Sequence, residues 1–409
     1  MHMRILTFGW DYPPMKNGGL GVACHGLTEE LLAAGMEIVF VLPRLQPTIG
    51  DHRFIFANVT NTPAQIYSIE SPLLPYKSAQ SFVEIFLPGG KRVRLARTIM
   101  EEIHRYAEAA KAIAKAERFD IIHAHDWTSY LAGVAAKSVT GKPLVLHVHA
   151  TSFDQAGGNN VDQEMYDIEQ CSFNAADSII AISNYTRDLI INRYSIDPQK
   201  IEVVHNGIKP QHPKLLAPVL KELKEQGKRI VFYHGRITIQ KGVDYFVRAA
   251  RRVVDIDKDV VFVISGWGDM EREIMELVGK LGLSQHVIFA GALWEDDRDR
   301  MYQAADLLVM PSVSEPFGLV PLEAMQHGTP ALISKQSGVA EVLTHVLKVD
   351  FWDIEDMANK ILAALRYTAL HEQLVHEGRR ELLRITWKRA AEKVIALYRK
   401  LFHVFRRQN

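Results

Sequence analysis

SEPFGLVPLEAMQHGTP, residues 314–330, is the stretch around which this chain is read. It follows Leu307–Met310, an apolar run that reads as a buried strand. Pro316, Phe317 and Gly318 form a turn. The spacing then predicts a short helix over Leu319–Gln326, with Pro321 in its first turn, where proline is tolerated. Leu319, Val320, Leu322, Ala324 and Met325 make that helix apolar almost all round, so it belongs in the interior. Glu323 sits in its middle, and a buried carboxylate is costly unless something binds it. Glu315 lies at the strand-to-helix turn, and the free amides of Gly318, Leu319 and Val320 point the same way. One strand–loop–helix unit thus offers paired carboxylates beside an anion-binding helix N-terminus. That set suits a ligand with both hydroxyls and phosphates, such as a nucleotide sugar. The plainer alternative is a buried helix whose Glu323 pairs with an internal arginine.

The wider composition frames that reading. The chain has 409 residues, 47% of them apolar and 23% charged, which describes a folding chain long enough for two domains. Lys+Arg and Asp+Glu balance at 48 each, so no global charge draws it to nucleic acid. Cys24 and Cys171 fall in predicted helices without metal-ligand spacing; they read as core thiols in a reducing compartment. The N-terminal MHMRILTFGWDYPP has an apolar run too short for a signal sequence, and no segment approaches the ~20 apolar residues of a membrane span. The expected location is the cytoplasm.

Apolar strands alternate with helices along the chain. Strands are expected at Arg4–Phe8, Met36–Leu42, Ile121–Ala124, Leu144–His149, Ser178–Ile182 and Ile201–Val204. The helices between them are Gly19–Ala34, Arg97–Glu117, Ser129–Ser138, Gln163–Ala175 and Asn184–Arg193. Residues 50–95 are the least regular, with strand-like pieces near Arg53–Val59 and Gln65–Glu70. Residues 206–228, with Pro210, Pro213 and Pro218, read as a linker. The alternation then restarts: strands Ile230–His234, Val260–Ser265, Val287–Ala290 and Leu307–Met310, with helices Lys241–Val254, Met270–Leu281 and Asp297–Ala304. Unbroken apolar strands alternating with helices imply parallel sheets covered on both faces. The expected fold is α/β, two doubly wound Rossmann-like domains facing a cleft. The N-terminal domain would span residues 1–208, with a C-terminal helix 387–409 packing back on it; the other would span 209–386. Ligands of such sheets bind at the carboxyl ends of strands.

Several residues at those ends could carry chemistry. Arg236 follows the strand RIVFYH, and Lys241 opens the next helix, so two cations there match a diphosphate. Charge builds on a diphosphate leaving group as its bond breaks, and fixed cations stabilise that state more than the ground state. The SGWGD turn, Ser265–Asp269, ends another strand, and Gly266 would let backbone approach a ligand. In the first domain PPMKNGGLG offers Lys16, Gly18, Gly19 and Gly21 before a helix, a turn able to cradle phosphate. It is not a GxGxxG, since Cys24 holds the third glycine's place, and no acid closes the second strand. Arg44 leaves only a faint case for a phosphorylated nicotinamide cofactor, so a dehydrogenase is a poor reading. Two strands end in histidine pairs, His123/His125 with Asp126, and His147/His149. His-x-His is a legitimate metal-ligand spacing, but a core face with strand-end histidines bonded in the cleft is the preferred reading, so no metal is expected.

Together these residues resemble the retaining glycosyltransferases of family four, which have the two-Rossmann-domain GT-B fold, and within it bacterial glycogen and starch synthases. KNGGLG at Lys16–Gly21 and HAHDW at 123–127 are similar to synthase motifs, and VHNGI around Asn206 to the family's loop before the linker. Arg236 with Lys241, and Glu315 with Glu323, resemble the family's donor site. The resemblance implies that Arg236 and Lys241 bind the donor diphosphate and that Glu323 holds the ribose. Glu315 would contact the donor sugar, the Gly318 and Leu319 amides would hold phosphate or sugar, and His149 would sit near the sugar's 6-hydroxyl. Gly19 would lie against the diphosphate, and Asp126 would face the acceptor. It also implies retention by front-face attack, with no metal and no cofactor beyond the donor nucleotide sugar, which is a substrate.

The leading expectation is transfer of glucose from ADP- or UDP-glucose to an α-glucan. The second keeps the donor and changes the acceptor to a lipid or small molecule. Basic stretches at Lys91–Arg97 and LYRKLFHVFRRQN (397–409) motivate it, since basic amphipathic helices lie on anionic membranes and would give a weak peripheral contact. The tail reads better as the helix crossing back to the first domain. A third reading is a nucleotide-sugar epimerase or a non-catalytic sugar-binding protein on the same fold.

Overall fold

The computed structural model describes residues 3–12, 18–43, 53–56, 84–86, 92–94, 98–158, 160–211 and 214–408. The first half runs β1 (Arg4–Phe8), α1 (Gly19–Ala33), β2 (Glu37–Leu42), β3 (Arg53–Phe56), β4 (Glu84–Phe86), β5 (Arg92–Arg94), α2 (Ile99–Ala116), β6 (Ile121–His125) and α3 (Trp127–Thr140). It continues with β7 (Leu144–Val148), α4 (Ser152–Gln155), α5 (Gln163–Ala175), β8 (Ser178–Ala181), α6 (Asn184–Tyr194) and β9 (Ile201–Val203). Its main sheet is parallel, in the order β3-β2-β1-β6-β7-β8-β9, with β4 and β5 a separate antiparallel pair. The second half runs α7 (Pro218–Glu225), β10 (Arg229–His234), α8 (Val243–Ile256), β11 (Val260–Ser265), α9 (Glu271–Lys280), β12 (Val287–Gly291), α10 (Glu295–Ala304), β13 (Leu307–Met310) and α11 (Leu319–Gln326). Then come β14 (Ala331–Ser334), β15 (Leu347–Val349), α12 (Ile354–Arg366), α13 (Thr368–Leu382) and α14 (Trp387–Gln408). Its sheet is also parallel, in the order β12-β11-β10-β13-β14-β15.

The strand order of each sheet reverses at one place, between β1 and β6 in the first and between β10 and β13 in the second. Such switch points open a crevice beyond the carboxyl ends of the two strands, because the loops there leave in opposite directions. The strands are apolar throughout because both faces are covered. On the first sheet, Leu6, Val39 and Ile122 pack with α2 and α3 residues, while Ile5, Phe40 and Val145 pack under α1 and α14. On the second, Val231, Phe262 and Val309 face α8 and α12, while Phe232, Leu308 and Ile333 face α10 and α11.

α14 supplies Trp387, Val394, Ile395, Tyr398 and Leu401 to the first domain's core. The tail's apolar side is therefore spent on packing, and its exposed side carries Lys388, Arg389, Lys393, Arg399 and Lys400. The chain crosses between halves twice, side by side: Ile208 bridges to Thr386, and a Cβ on Gly207 would meet the Trp387 amide at 2.0 Å.

Some expectations change. Lys241 does not open a helix. It ends a 3-10 turn, and Gly242, at φ 62°, separates it from α8. Cys171 is an exposed thiol; only Cys24 is buried. The supposed linker contains α7, begun by Pro218 at its first position, where proline favours a helix. Gln65–Glu70, Arg44 and Lys16 lie outside the described residues. Among the described residues no helix is long and apolar enough to cross a membrane.

Candidate active site

At the second sheet's switch point the loops after β10 and β13 are joined. The Gln240 carbonyl accepts from the Val313 amide at 2.9 Å, and a Cβ on Gly242 would meet the Pro311 carbonyl at 2.2 Å. Lys241 Nζ donates to Glu315 Oε2 at 2.6 Å, and Ser312 Oγ donates to the same oxygen at 3.1 Å. Both charged side chains are mostly buried, 19% and 12% exposed. Arg236 Nη2 donates to Gln240 Oε1 at 3.0 Å, which ties the second cation to the same loop. The cation pair and Glu315, far apart in sequence, thus share one crevice.

α11 starts at this crevice. Its N-cap, Gly318, has φ 105°, and no side chain caps the first amides. Gly318 stands against Glu315, with the Cγ 3.2 Å from where a Cβ would be. The helix is not buried all round. Leu319, Val320, Glu323 and Gln326 form a half-open stripe, and Leu319 packs against apolar residues of both domains. Glu323 has internal partners as well: the Tyr302 hydroxyl donates to Oε2 at 2.9 Å, and Arg298 Nη1 lies 3.8 Å from Oε1. The plainer reading of Glu323 is therefore met in part, on a face that is still reachable.

Gly266 has its bare Cα against protein. A Cβ there would lie 1.7 Å from the Gly235 carbonyl, and φ is 143°. Its glycine is demanded by loop-on-loop packing at the ends of β10 and β11. Gly19, by contrast, is exposed at the open start of α1, with nothing within 4 Å of where a Cβ would be.

Across the crevice, β6 and β7 bring both histidine pairs together. His125 Nδ1 and His149 Nε2 share a hydrogen bond of 3.0 Å. Burial pushes the His149 pKa down to about 3, so this ring can offer a hydrogen bond but no positive charge at neutral pH. Asp126 is 1% exposed, at φ 63°. Its Oδ1 accepts from the amides of His149 and Ala150 at 3.3 and 3.2 Å, so this carboxylate shapes the turn that carries His149.

The structure adds residues that the sequence reading passed over. Asp154 Oδ1 accepts from Ser314 Oγ at 2.6 Å across the domains, and the Tyr185 hydroxyl lies 2.9 Å from the same Ser314 oxygen. Asp154 is fully buried. Burial pushes its pKa up against the hydrogen bonds from Ser314 and Thr151. The T-x-x-D spacing of Thr151 and Asp154, a capping box around α4, was a usable signal. Ser183 Oγ donates to the Pro316 carbonyl at 2.6 Å. Glu341 receives the Asn184 and Tyr185 amides at 2.9 and 2.7 Å, again across the domains.

Comparison with known proteins matches this architecture. Residues 17–212 match the family described as Glycosyltransferase Family 4, and residues 220–381 match Glycosyl transferases group 1. An uncharacterized glycosyltransferase of Methanocaldococcus jannaschii is 26% identical over 97% of this chain and 98% of its own length. Glycogen synthase of Mycobacterium tuberculosis is 26% identical, over 83% of this chain and 80% of its own. Alpha-maltose-1-phosphate synthase of Mycolicibacterium smegmatis is 30% identical, over 71% and 81%. Among solved structures, sucrose-phosphate synthase of Thermosynechococcus elongatus has a TM-score of 0.75 at 21% identity, covering 98% of this chain and 100% of that one. Anabaena HepE, solved in complex with UDP and glucose, has a TM-score of 0.72 at 17% identity, covering 98% and 100%. Two doubly wound parallel sheets facing a crevice are the GT-B fold, and the family matches make the chain a glycosyltransferase. The chain belongs to glycosyltransferase family four and is a hexosyltransferase.

Proposed function

We propose that the chain transfers glucose from ADP- or UDP-glucose to an α-glucan with retention of anomeric configuration. The observation that carries the donor half is the joined pair of switch-point loops, with Lys241 held by Glu315 at 2.6 Å and Arg236 on the same loop. An ammonium has three donors, and the bond to Glu315 uses one. In this reading Lys241 and Arg236 take the diphosphate, and they stabilise it further as it leaves. The amides of Gly318 and Leu319 receive phosphate or sugar, and Glu323 takes the ribose hydroxyls. Gly19, with Lys16 before it, closes the diphosphate side. Neutral His149 bonds a sugar hydroxyl, and Asp126 serves the acceptor side by fixing the turn at His149. The reaction in this form uses no metal ion or further cofactor. The glucan acceptor rests on KNGGLG, HAHDW and the similarity to glycogen synthase.

A second acceptor comes from the similarity to alpha-maltose-1-phosphate synthase, 30% identical over 71% of this chain, beside glycogen synthase, 26% identical over 83%. A small sugar phosphate would then replace the glucan. Nucleoside diphosphate release from ADP-glucose and UDP-glucose decides between them. It is measured with glycogen, with malto-oligosaccharides, with glucose 1-phosphate and with none. Glucan-dependent release supports the first reading and names the donor. Release dependent on glucose 1-phosphate replaces it with the second. No release with any glucan overturns the glucan assignment.

A further inference from the structure

Under the crevice wall of the first domain lies a group of side chains that the transfer reaction does not use. His123 and His125 on β6 and His147 on β7 face one side of the sheet, and none is more than 2% exposed. Their rings form a compact triangle, with centroids 4.2 Å apart for His123 and His125, 5.1 Å for His125 and His147, and 5.4 Å for His123 and His147. One ring nitrogen from each lies within 4.8 Å of the others. Among the described residues, His123 Nε2 and both nitrogens of His147 are buried without a hydrogen-bond partner. Buried polar atoms are normally paired, and leaving several unpaired in one sheet core costs stability. The opposite nitrogens of the other two rings are engaged. The Tyr398 hydroxyl on α14 lies 2.5 Å from His123 Nδ1, and His149 Nε2 lies 3.0 Å from His125 Nδ1. Such outer contacts fix ring orientation and tautomer in the manner of the second layer around a metal-bound imidazole. They leave Nε2 of His123 and of His125 as the nitrogens available for a ligand.

We propose that His123, His125 and His147 form a transition-metal site of the zinc class, structural to the first domain and separate from the transfer step. Three neutral imidazoles with no carboxylate among them are a borderline-soft donor set. It suits Zn²⁺, Co²⁺, Ni²⁺ or Cu²⁺ and not Mg²⁺ or Ca²⁺. Cys24 on α1 stands at the edge of this cluster, its sulfur within 4.8 Å of nitrogens of His125 and His149, which again favours a soft ion over a hard one. On binding, the three nitrogens, within 4.8 Å of one another, draw in to about 2.0–2.1 Å from the ion. The ion would then pin β6 to β7 and, through Tyr398, to the returning helix α14.

The test uses the untagged full chain, stripped with chelator and titrated with Co²⁺ and then Zn²⁺. The expected result is one Co²⁺ per chain with the visible ligand-field bands of a nitrogen-bound, four-coordinate ion. Zn²⁺ should displace it, and Zn²⁺ alone should raise Tm. His147→Phe keeps a ring in the stack but removes both orphan nitrogens, so bands and Tm shift should disappear. Absence of bands and of a Tm shift in the unaltered chain overturns the proposal, whatever the variant does. Bands that persist in His147→Phe also overturn it, by placing the ion elsewhere. Donor turnover of the stripped chain tests the transfer reading independently.

Discussion

Lys241 and Glu315 show how much one residue pair can carry. Each is mostly buried, so removing one partner leaves the other's charge in a poorly solvated place. Lys241→Ala should therefore destabilise the chain by about 3 kcal/mol. It should also lower kcat for nucleoside diphosphate release by roughly 10²–10³-fold, the scale for losing one donor that stabilises developing negative charge. Calorimetry and turnover per folded molecule separate the two effects; a purely structural role would lower Tm and leave the normalised rate intact. Glu169 is a second residue whose burial has a readable consequence. It is fully buried, and its carboxylate accepts from the Tyr194 hydroxyl and the Ser152 amide. Burial outweighs those bonds and lifts its pKa from 4.5 to about 8. The folded chain thus keeps a proton that the unfolded chain releases between those values. The stability this adds is complete below pH ~4.5 and is lost as pH rises to about 8, a change of roughly 5 kcal/mol. Denaturant titrations over that range should show the slope in the unaltered chain and a flatter profile in Glu169→Gln.

At the level of elements, loop packing decides which glycines matter. Gly266 lets the end of β11 lie directly on the Gly235 carbonyl, in a backbone region closed to other residues. Gly266→Ala should cost about 3 kcal/mol or more, because something must shift and the nearest atom is backbone. Gly279, near the end of α9, has nothing within 4 Å of its missing Cβ. Gly279→Ala should stabilise by about 0.5–1 kcal/mol through helix propensity. Paired thermal unfolding of the two variants checks the contrast. Most elements were legible in sequence because a strand buried on both faces leaves an unbroken apolar run, as at Val260–Ser265. α4 was not, since one helical turn has no period to read. α7 is hidden in the sequence because Pro218 reads as a breaker, although it stands at a helix start.

For the molecule as a whole, closure of the crevice is held in part by a cluster of polar contacts between the halves. Glu341 grips the start of α6 across the domains through the Asn184 and Tyr185 amides, and His205 Nε2 lies 3.1 Å from the same carboxylate. Burial alone would raise the Glu341 pKa, but the bonds from His205 and the two amides outweigh it and hold the carboxylate ionised to lower pH. Glu341→Ala removes this grip without touching the Lys241–Glu315 pair. The domains should then sample more open arrangements, seen as a larger radius of gyration in small-angle scattering, and KM for the donor should rise. An unchanged scattering profile would assign closure to the Ser314–Asp154 and Ser183–Pro316 contacts instead.

The sequence by itself determined two parallel, doubly wound sheets, the apolar helix bearing Glu323, and the charged residues at strand ends. These follow from local period and composition, which act over a few residues. Only the tertiary structure decided which of those residues meet. Lys241 finds Glu315 across 74 positions because β10 and β13 are neighbours at a switch point. Asp154 finds Ser314 across 160 positions because one domain closes on the other. The histidines at 123, 125 and 147 form one cluster because β6 and β7 pair in a register that sets His125 beside His147. Strand order, register and domain closure are fixed by the burial of the whole core, and no stretch of sequence carries that term alone.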